Sequence, residues 1–180
     1  MTVQNAARKS FAELLADTRH SAVHLEMRDS YAVGDEAQEF EEFRRTGHVS
    51  LDPTARWWPG WLGTVREAVG RGVVMRRARI VSEPVTDYIR WEHASTPLNI
   101  GAGELVRWLP RRLAFDLALP GTDFWLFDER LVQFHNWTGA GDWHPEEPKV
   151  WSDDPAAVKL CADAFEQVWQ RATPHEQFAV

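Results

Sequence analysis

Hydrophobic and polar positions divide the chain into segments of two periods. Over 6–16, Phe11, Leu14 and Leu15 fall at helical spacing, which predicts a short amphipathic helix. Val23, Leu25 and Met27 then alternate strictly with His24, Glu26 and Arg28, the period of a half-buried strand over 21–29. Asp35 is placed to cap a helix running to Thr46, with Phe40 and Phe43 inward and Gly47 as its stop. Pro53 suits a short helical turn, and Pro59-Gly60 breaks the cluster of Trp57, Trp58 and Trp61. A further helix is expected over 61–69, ending at Gly70.

From Gly72 the pattern changes. Residues 73–81 are rich in β-branched types and predict a strand. Pro84 suits the first turn of a helix over 84–94, with Val85, Tyr88 and Ile89 on one face. The stretch 95–103 (STPLNIGAG) is loop by composition, and 104–109 is a strand stopped by Pro110. Strands over 122–127 and 131–137 flank the polar turn 128–130, which makes a hairpin. The Gly- and Pro-rich stretch 138–150 is expected as loop. Ser152 and Pro155 open a last helix over 154–172, burying Val158, Ala162, Phe165 and Val168 or Trp169. The expected fold is a mixed α/β domain, a five-strand sheet covered by helices that include 84–94 and 154–172. It spans 1–180 as one domain, mainly helical with one strand over 1–70 and α/β over 71–180.

Composition narrows the function classes. At 180 residues, 44% hydrophobic and 26% charged, the chain has the makings of one globular domain with a sizeable core. The single cysteine, Cys161, excludes an internal disulfide framework and multi-cysteine metal sites, and its apolar neighbours suit a buried structural thiol. No apolar run approaches the ~20 residues of a membrane span, and the first residues lack the apolar core of a signal peptide, so a cytoplasmic address is expected. A net charge of −7 argues against nucleic-acid binding by the whole surface. That charge is uneven: 66–112 holds nine Arg and no Lys against five acids, a balance of +4, and the rest carries −11. Such a basic middle either forms a patch for an anion or is spent on internal pairs. Ten Trp is many for this length, and most are expected in the core with a few lining a groove.

The phrases SAVHLEMRDSY (21–31), RRARIVSEPVTDYIRWEH (76–93), GELVRWLPRR (103–112), GTDFWLFD (121–128) and PHEQF (174–178) resemble the actinobacterial family called domain of unknown function 6879, over nearly the whole chain. That resemblance implies a place beside helix-turn-helix regulators of the xenobiotic-response-element type, without implying any chemistry. The order of strand 73–81, helix 84–94, the lead-in Ala102-Gly103-Glu104-Leu105-Val106-Arg107, hairpin and helix is similar to one half of a phospholipase D-like domain. The signature of that superfamily is H-x-K-x-x-x-x-D. Laid on GTDFWLFD, its aspartate falls on Asp128, but Gly121 stands at the histidine position and Asp123 at the lysine position. A second register from His135 puts Trp137 at the lysine position and Asp142 at the aspartate. Neither register keeps the cation that neutralises phosphate, so the resemblance implies a fold whose phosphodiesterase chemistry is lost.

Four constellations remain. His24, Glu26 and Arg28 share one strand face, able to act as a base with its orienter, or else forming a polar outer face or an ion pair under a covering helix. Asp87, Tyr88, Arg90, Trp91, Glu92 and His93 crowd one helix, as a polar face over a ligand or as ordinary surface pairs. Arg77 and Arg79 share a face of a strand and either fork onto a ligand's phosphate or carboxylate, or pair internally with Glu83, Glu104 or Asp128. Asp123 and Asp128, five residues apart on a strand, lie on opposite faces and do not cooperate. No metal-ligand spacing, nucleophile elbow, Walker loop or dinucleotide fingerprint occurs, so no metal and no cofactor is expected.

The sequence thus points to a non-enzymatic module that senses a small ligand or binds a partner protein and acts with a helix-turn-helix regulator, as a homodimer, without reading DNA directly. Its candidate residues are His24, Glu26, Glu92 and Asp128 for any catalysis. For a ligand they are Arg28, Arg77, Arg79, Tyr88, Arg90, His93 and Trp125. The rivals are a hydrolase or phosphate-ester processing enzyme using a His/Glu/Arg cleft, and a toxin-antitoxin component. Convergence of His24, Glu26 and the two arginines on one pocket would favour chemistry, and dispersal would exclude it.

Overall fold

A computed structural model describes residues 9–32 and 34–180. The start of the helix expected over 6–16 and the capping side chain of Asp35 lie outside the described parts. A seven-stranded sheet forms the middle layer, in the order β6-β5-β4-β1-β2-β3-β7. Its strands are β1 (Ser21–Glu26), β2 (Val74–Val81), β3 (Leu105–Pro110), β4 (Phe124–Phe127), β5 (Leu131–His135), β6 (Lys149–Ser152) and β7 (Thr173–Pro174). The helices are α1 (Phe11–Asp17), α2 (Gly34–Thr46), α3 (Trp58–Gly70), α4 (Asp87–Gly101) and α5 (Pro155–Arg171).

Strands β1, β2 and β3 are parallel neighbours, so each step between them needs a crossover, made by α2 with α3 and then by α4. Both steps run the same way across the sheet, and crossovers of one hand then deposit their helices on one face. The chain returns to the other side of β1, where β4, β5 and β6 pair antiparallel. Helix α5 packs on the opposite face, and β7 closes the far edge against β3. Because β1 lies between β2 and β4, the N-terminal 70 residues share the sheet of the remainder.

Strand alternation sorts the two faces. Val23, Leu25, Ala78, Ile80, Leu109, Phe124 and Leu126 pack on Cys161, Phe165 and Val168 of α5. Each large apolar side chain buried this way contributes about 1.5–3 kcal/mol. The opposite face carries Ala22, Met75, Trp125 and Phe127 under α1 and α3, and Val81, Val106 and Trp108 under α4. Along β2, Arg77 and Arg79 fall between Met75 of the first apolar cluster and Val81 of the second. A polar seam therefore runs through the multi-helix face.

Several expected boundaries move. Pro59 sits within the first two positions of α3, where no N–H is needed, so the helix starts at Trp58 rather than at Trp61. Helix α4 starts three residues after Pro84, because Thr86 is its cap, accepting a hydrogen bond from Ile89 N–H. It then runs through Pro97 to Gly101, where composition predicted loop. The Ser95 and Thr96 hydroxyls donate to the Glu92 carbonyl, and Ser95, Thr96, Leu98 and Asn99 are buried against the sheet. Packing outweighs propensity there. Strands β6 and β7 fall on short edge segments without a period-2 run long enough to read. β1 ends at Glu26, three residues early, as Arg28 and Asp29 turn away to other partners.

The β4–β5 turn over 128–130 places Asp128 and Glu129 at φ +50°, a left-handed pair closed by Arg130 N–H donating to the Phe127 carbonyl. The Asp128 carboxylate accepts hydrogen bonds from the backbone N–H groups of Arg19, His20 and Ser21 at 2.7–3.0 Å, pinning the entry to β1. Burial pushes its pKa up, but these three bonds outweigh it and hold the group below its ordinary value. Asp128→Ala is therefore expected to lose about 1–3 kcal/mol of stability at neutral pH, read from urea midpoints. The wild-type advantage should fade as acid protonates the carboxylate.

Candidate functional site

Glu26, the last residue of β1, faces two arginines of the neighbouring strand. Its Oε1 accepts from Arg77 Nη1 at 2.7 Å and its Oε2 from Arg79 Nε at 2.5 Å. Arg77 also donates through Nε to Glu104 Oε1 at 2.8 Å. Arg79 donates to Glu92 Oε1 at 3.0 Å and to the Thr96 hydroxyl at 3.0 Å. All five charged groups are buried, with Glu104 only 1% exposed. Burial pushes Glu26 up, yet Arg77 and Arg79 outweigh it and keep the carboxyl below its ordinary value. Burial pulls Arg77 and Arg79 down, and the surrounding carboxylates more than restore both, Glu104 and Glu26 acting on Arg77, Glu26 and Glu92 on Arg79. A network of this kind costs desolvation that only complete pairing offsets.

This cluster floors a cavity of about 210 Å³. Its far walls come from α3 with Trp57, Trp58 and Trp61, from α4 with Tyr88, Trp91 and Glu92, from Glu36 of α2, and from Trp137 and Trp143 in the loop after β5. Seven of the ten tryptophans line it, where only a few were expected. Aromatic packing fixes the walls: Trp57 stacks on Trp58 at 4.1 Å between ring centres, Trp137 on Trp143 at 3.8 Å, and Trp125 on His24 at 4.3 Å. Arg77 lies over the rings of Trp61 and Trp125, and Arg79 over Trp108.

The cavity's titratable groups are tuned by burial. Burial, reinforced by Arg77, drives His24 well below its usual range, and burial with Lys149 takes His135 to about 3, so both imidazoles are neutral. Burial raises Glu92 to about 8 against the pull of Arg79, with Glu26 and Glu36 adding to the rise. Burial also raises Asp123 to about 6, although its oxygens accept from Met27 N–H, the Tyr31 hydroxyl and the Trp137 indole. Glu36 is raised too, chiefly by burial, despite accepting from the Tyr88 hydroxyl at 2.6 Å. Three of the side chains that line the cavity keep buried atoms without a hydrogen-bond partner among the described residues: Glu92 at Oε2, both ring nitrogens of His24, and the indole of Trp57.

Of the residues anticipated from sequence, His24, Glu26, Arg77, Arg79, Tyr88, Glu92 and Trp125 meet at this cavity. Four do not. Asp128 caps the start of β1 at the opposite end of its strand. Arg90 is exposed and pairs with Asp87 on the outer side of α4. His93 turns to the other flank of α4, 4.3 Å from His175 and bonded to the Phe178 carbonyl. Arg28 lies past the end of β1, outside the cavity lining, beside the backbone at Gly141. Nor is the polar face of β1 an outer one: with strands on both sides and helices above, His24 and Glu26 are buried. Of the partners foreseen for the arginines only Glu104 serves, since Glu83 pairs with Arg112 and Asp128 with backbone. The basic middle of the chain is likewise spent internally, Arg76 on Glu166, Arg107 on the Trp169 carbonyl and Arg111 on Asp29.

Sequence reasoning missed Tyr31, Glu36, Asp123, His135, Trp137 and Trp143. From sequence, Asp123 stands only at the lysine position of the first phospholipase register and in a carboxylate pair with Asp128 that the strand sets on opposite faces. His135 and Trp137 were met only in the second phospholipase register; both line the cavity while Asp142 does not. The available signal was the crowding of Trp around charges, which marks no position in advance. Among the described residues no group of three or more His, Cys, Asp or Glu is arranged to hold a metal ion, and no helix is long and apolar enough to cross a membrane.

Comparisons with known proteins add a family and a fold. The family model of a domain of unknown function (DUF6879) matches residues 9–180. The chain is similar in structure to Nuc, a phospholipase D family member from Salmonella typhimurium, with 12% identity and a TM-score of 0.52 over 91% of this chain and 86% of that one. At such identity the likeness shows the fold alone, and it extends beyond the 71–180 part to which the sequence had confined it. The chain is also similar to TrmBL2, an archaeal chromatin protein whose structure shows a novel mode of DNA binding, with 19% identity, a TM-score of 0.48 and 90% of this chain covered. It spans about half of that protein, 48% of its length. No curated protein matches.

Two outcomes follow for the cluster. Glu26→Ala leaves two buried guanidiniums short of a carboxylate and is expected to cost about 3–5 kcal/mol in chemical denaturation. Glu92 holds a proton in the folded chain that the unfolded chain has released between pH 4.5 and about 8, so its contribution to stability falls as pH rises through that window. Glu92→Gln should flatten the decline of the urea midpoint between pH 5 and pH 9.

Proposed function

We propose that this chain, which belongs to the DUF6879 family, is a non-enzymatic ligand-sensing module whose cavity takes a small molecule and whose occupancy sets the output of a helix-turn-helix regulator. The observation that carries this reading is a walled cavity of about 210 Å³ whose floor charges are matched to one another rather than set out to react. A convergent cavity with a few polar groups is the usual form of a ligand site. Its walls come from α2, α3, α4 and the 137–143 loop, so one ligand touches elements far apart in sequence and favours the arrangement that fits it. A partner that reads the helices' outer surface then reads occupancy.

A hydrolytic reading has one observation in its favour: His24, Glu26, Arg77, Arg79 and Glu92 do converge. The detailed geometry weakens it. A phosphate ester needs uncommitted guanidinium donors, and here Arg77 and Arg79 already face three carboxylates within 3.0 Å. A base needs an orienting partner, and His24 has no hydrogen bond at either nitrogen, its Nδ1 lying 3.4 Å from Glu26 Oε1 without bonding geometry. The likeness to one phospholipase D-like half supports a homodimer or pairing with a related domain.

The test uses the tagged full-length chain from its native host. Protein denatured after purification is expected to release a small molecule seen by mass spectrometry. Ser95→Trp, which fills the cavity from its buried wall, should release none while keeping the wild-type circular dichroism spectrum. In a reporter assay with the neighbouring helix-turn-helix regulator, the two proteins should give different outputs. Equal small-molecule content and equal reporter output would sink the proposal, and phosphodiester turnover lost in His24→Ala would replace it with the hydrolytic one.

A further inference from the structure

Resting on the ligand-sensing reading, we propose that the cavity binds a small organic cation, a weakly hydrated tertiary or quaternary ammonium seated among indole rings with Glu92 as its counter-charge.

Charge is the first argument. Four carboxyl groups line the cavity, those of Glu26, Glu36, Glu92 and Asp123, against two guanidiniums, and Glu104 supplies Arg77 with a further carboxylate from outside the lining. The two histidines add nothing, because burial keeps them neutral. Both guanidiniums are turned onto protein carboxylates, Arg77 through Nε and Nη1 and Arg79 through Nε and Nη2, so an anion entering the cavity would find their charge already answered and would meet acidic oxygens. A cation meets the reverse.

The second argument is an orphaned atom. Glu92 is 94% buried, being 6% exposed, and lines the cavity, yet its Oε2 has no hydrogen-bond partner among the described residues while Oε1 is held by Arg79. When this carboxyl ionises, no group among the described residues answers the charge on that oxygen, and a cation seated beside it would. The neighbouring acid Asp123 is different, with both oxygens satisfied by Met27, Tyr31 and Trp137. The geometry therefore singles out one oxygen for the ligand.

The third argument is the wall. Arg77 already occupies the faces of Trp61 and Trp125, which demonstrates that these rings accept a cation at 5.6–5.7 Å. Trp91, Trp58 and Trp137 line the same cavity without such a partner among the cation–ring contacts of the described residues. An ammonium whose charge is spread over methyl groups suits ring faces better than a compact hydrated one, since less water must be removed. The cavity has room for a small molecule and not for a polymer.

A pH signature follows. Glu92 faces Glu26 from β1, Arg77 and Arg79 from β2, Glu36 from α2, Tyr31 from the loop after β1 and Tyr88 from its own helix. The arginines and Glu26 keep their charge, and both tyrosines are raised well above their ordinary value, so neither ionises near neutrality. Raising pH from 6 to 9 therefore ionises the carboxyls that burial holds protonated, Glu92 above all. A bound cation takes the place of the proton, so its affinity rises over that range and protons are released on binding.

The experiment titrates the full-length protein with choline, with its neutral isostere 3,3-dimethylbutan-1-ol, with benzyltrimethylammonium and with inorganic phosphate, following tryptophan fluorescence and calorimetry at pH 6, 7.5 and 9. Choline is expected to bind about tenfold more tightly than the isostere, and more tightly at pH 9 than at pH 6. Glu92→Gln should remove that preference and its pH dependence while leaving the isostere unchanged. If circular dichroism shows Glu92→Gln misfolded, Glu36→Gln should lower choline affinity without affecting the isostere. Equal binding of choline and isostere, or binding of phosphate in preference, overturns the cation while leaving the cavity a ligand site. Failure of both ammonium probes to bind also overturns it, and the release of a small molecule by mass spectrometry then decides the ligand-sensing reading separately.

Discussion

The pairing of Glu26 with Arg77 and Arg79 is the constraint on which the rest of this structure depends. Two guanidiniums at adjacent same-face positions of a central strand cannot be buried unless carboxylates reach them from several directions. Glu26 reaches across from the neighbouring strand, Glu104 from the turn before β3, and Glu92 from the helix that crosses above. Satisfying them therefore fixes the register of β1 on β2 and the height and rotation of α4. It also divides the apolar face of the sheet into two clusters, with the polar seam between them. The cavity is a consequence of that division, since aromatic rings from separate segments close around the seam.

Much of the fold was legible because it rests on period. The alternation at 23–28 gave a strand, and the Phe165 and Val168 stripe gave the helix that packs on it. What was not legible was set by distance along the chain. Composition made 95–101 a loop, yet burial of Ser95, Thr96 and Asn99 beneath the sheet, with hydroxyls returned to the Glu92 carbonyl, keeps it helical through a proline. The edge strands β6 and β7 are too short to carry a period of their own. They exist because β5 and β3 offer free edges.

The site divides along the same line. Same-strand neighbours such as His24 with Glu26, or Arg77 with Arg79, announced themselves through the spacing of two. Asp123, His135 and Trp137 did not, because the hairpin that carries them was legible while the antiparallel pairing of β4 with β1, which brings it to the cavity, has no signature along the chain. Asp128 shows the converse error. Its position in the phospholipase signature made it a candidate, while its physical role is to accept hydrogen bonds from three backbone N–H groups at a turn. Helix periodicity also explains the loss of Arg90 and His93: on α4 the side that carries Tyr88, Glu92 and Ser95 is the cavity side, and residues one or two positions off it look elsewhere.

The phospholipase D-like fold sharpens what the altered chemistry means. In the register that runs from His135, a histidine survives at the cavity and the position beside it that should carry an ammonium carries the indole of Trp137. Trp137 presents an aromatic face there and donates its indole N–H to Asp123, while Glu36 and Glu92 line the same cavity as carboxyls whose pKa burial raises. With Arg77 and Arg79 committed to carboxylates, such a lining presents aromatic faces and acidic groups to an entering molecule, the pattern on which the proposed cation rests.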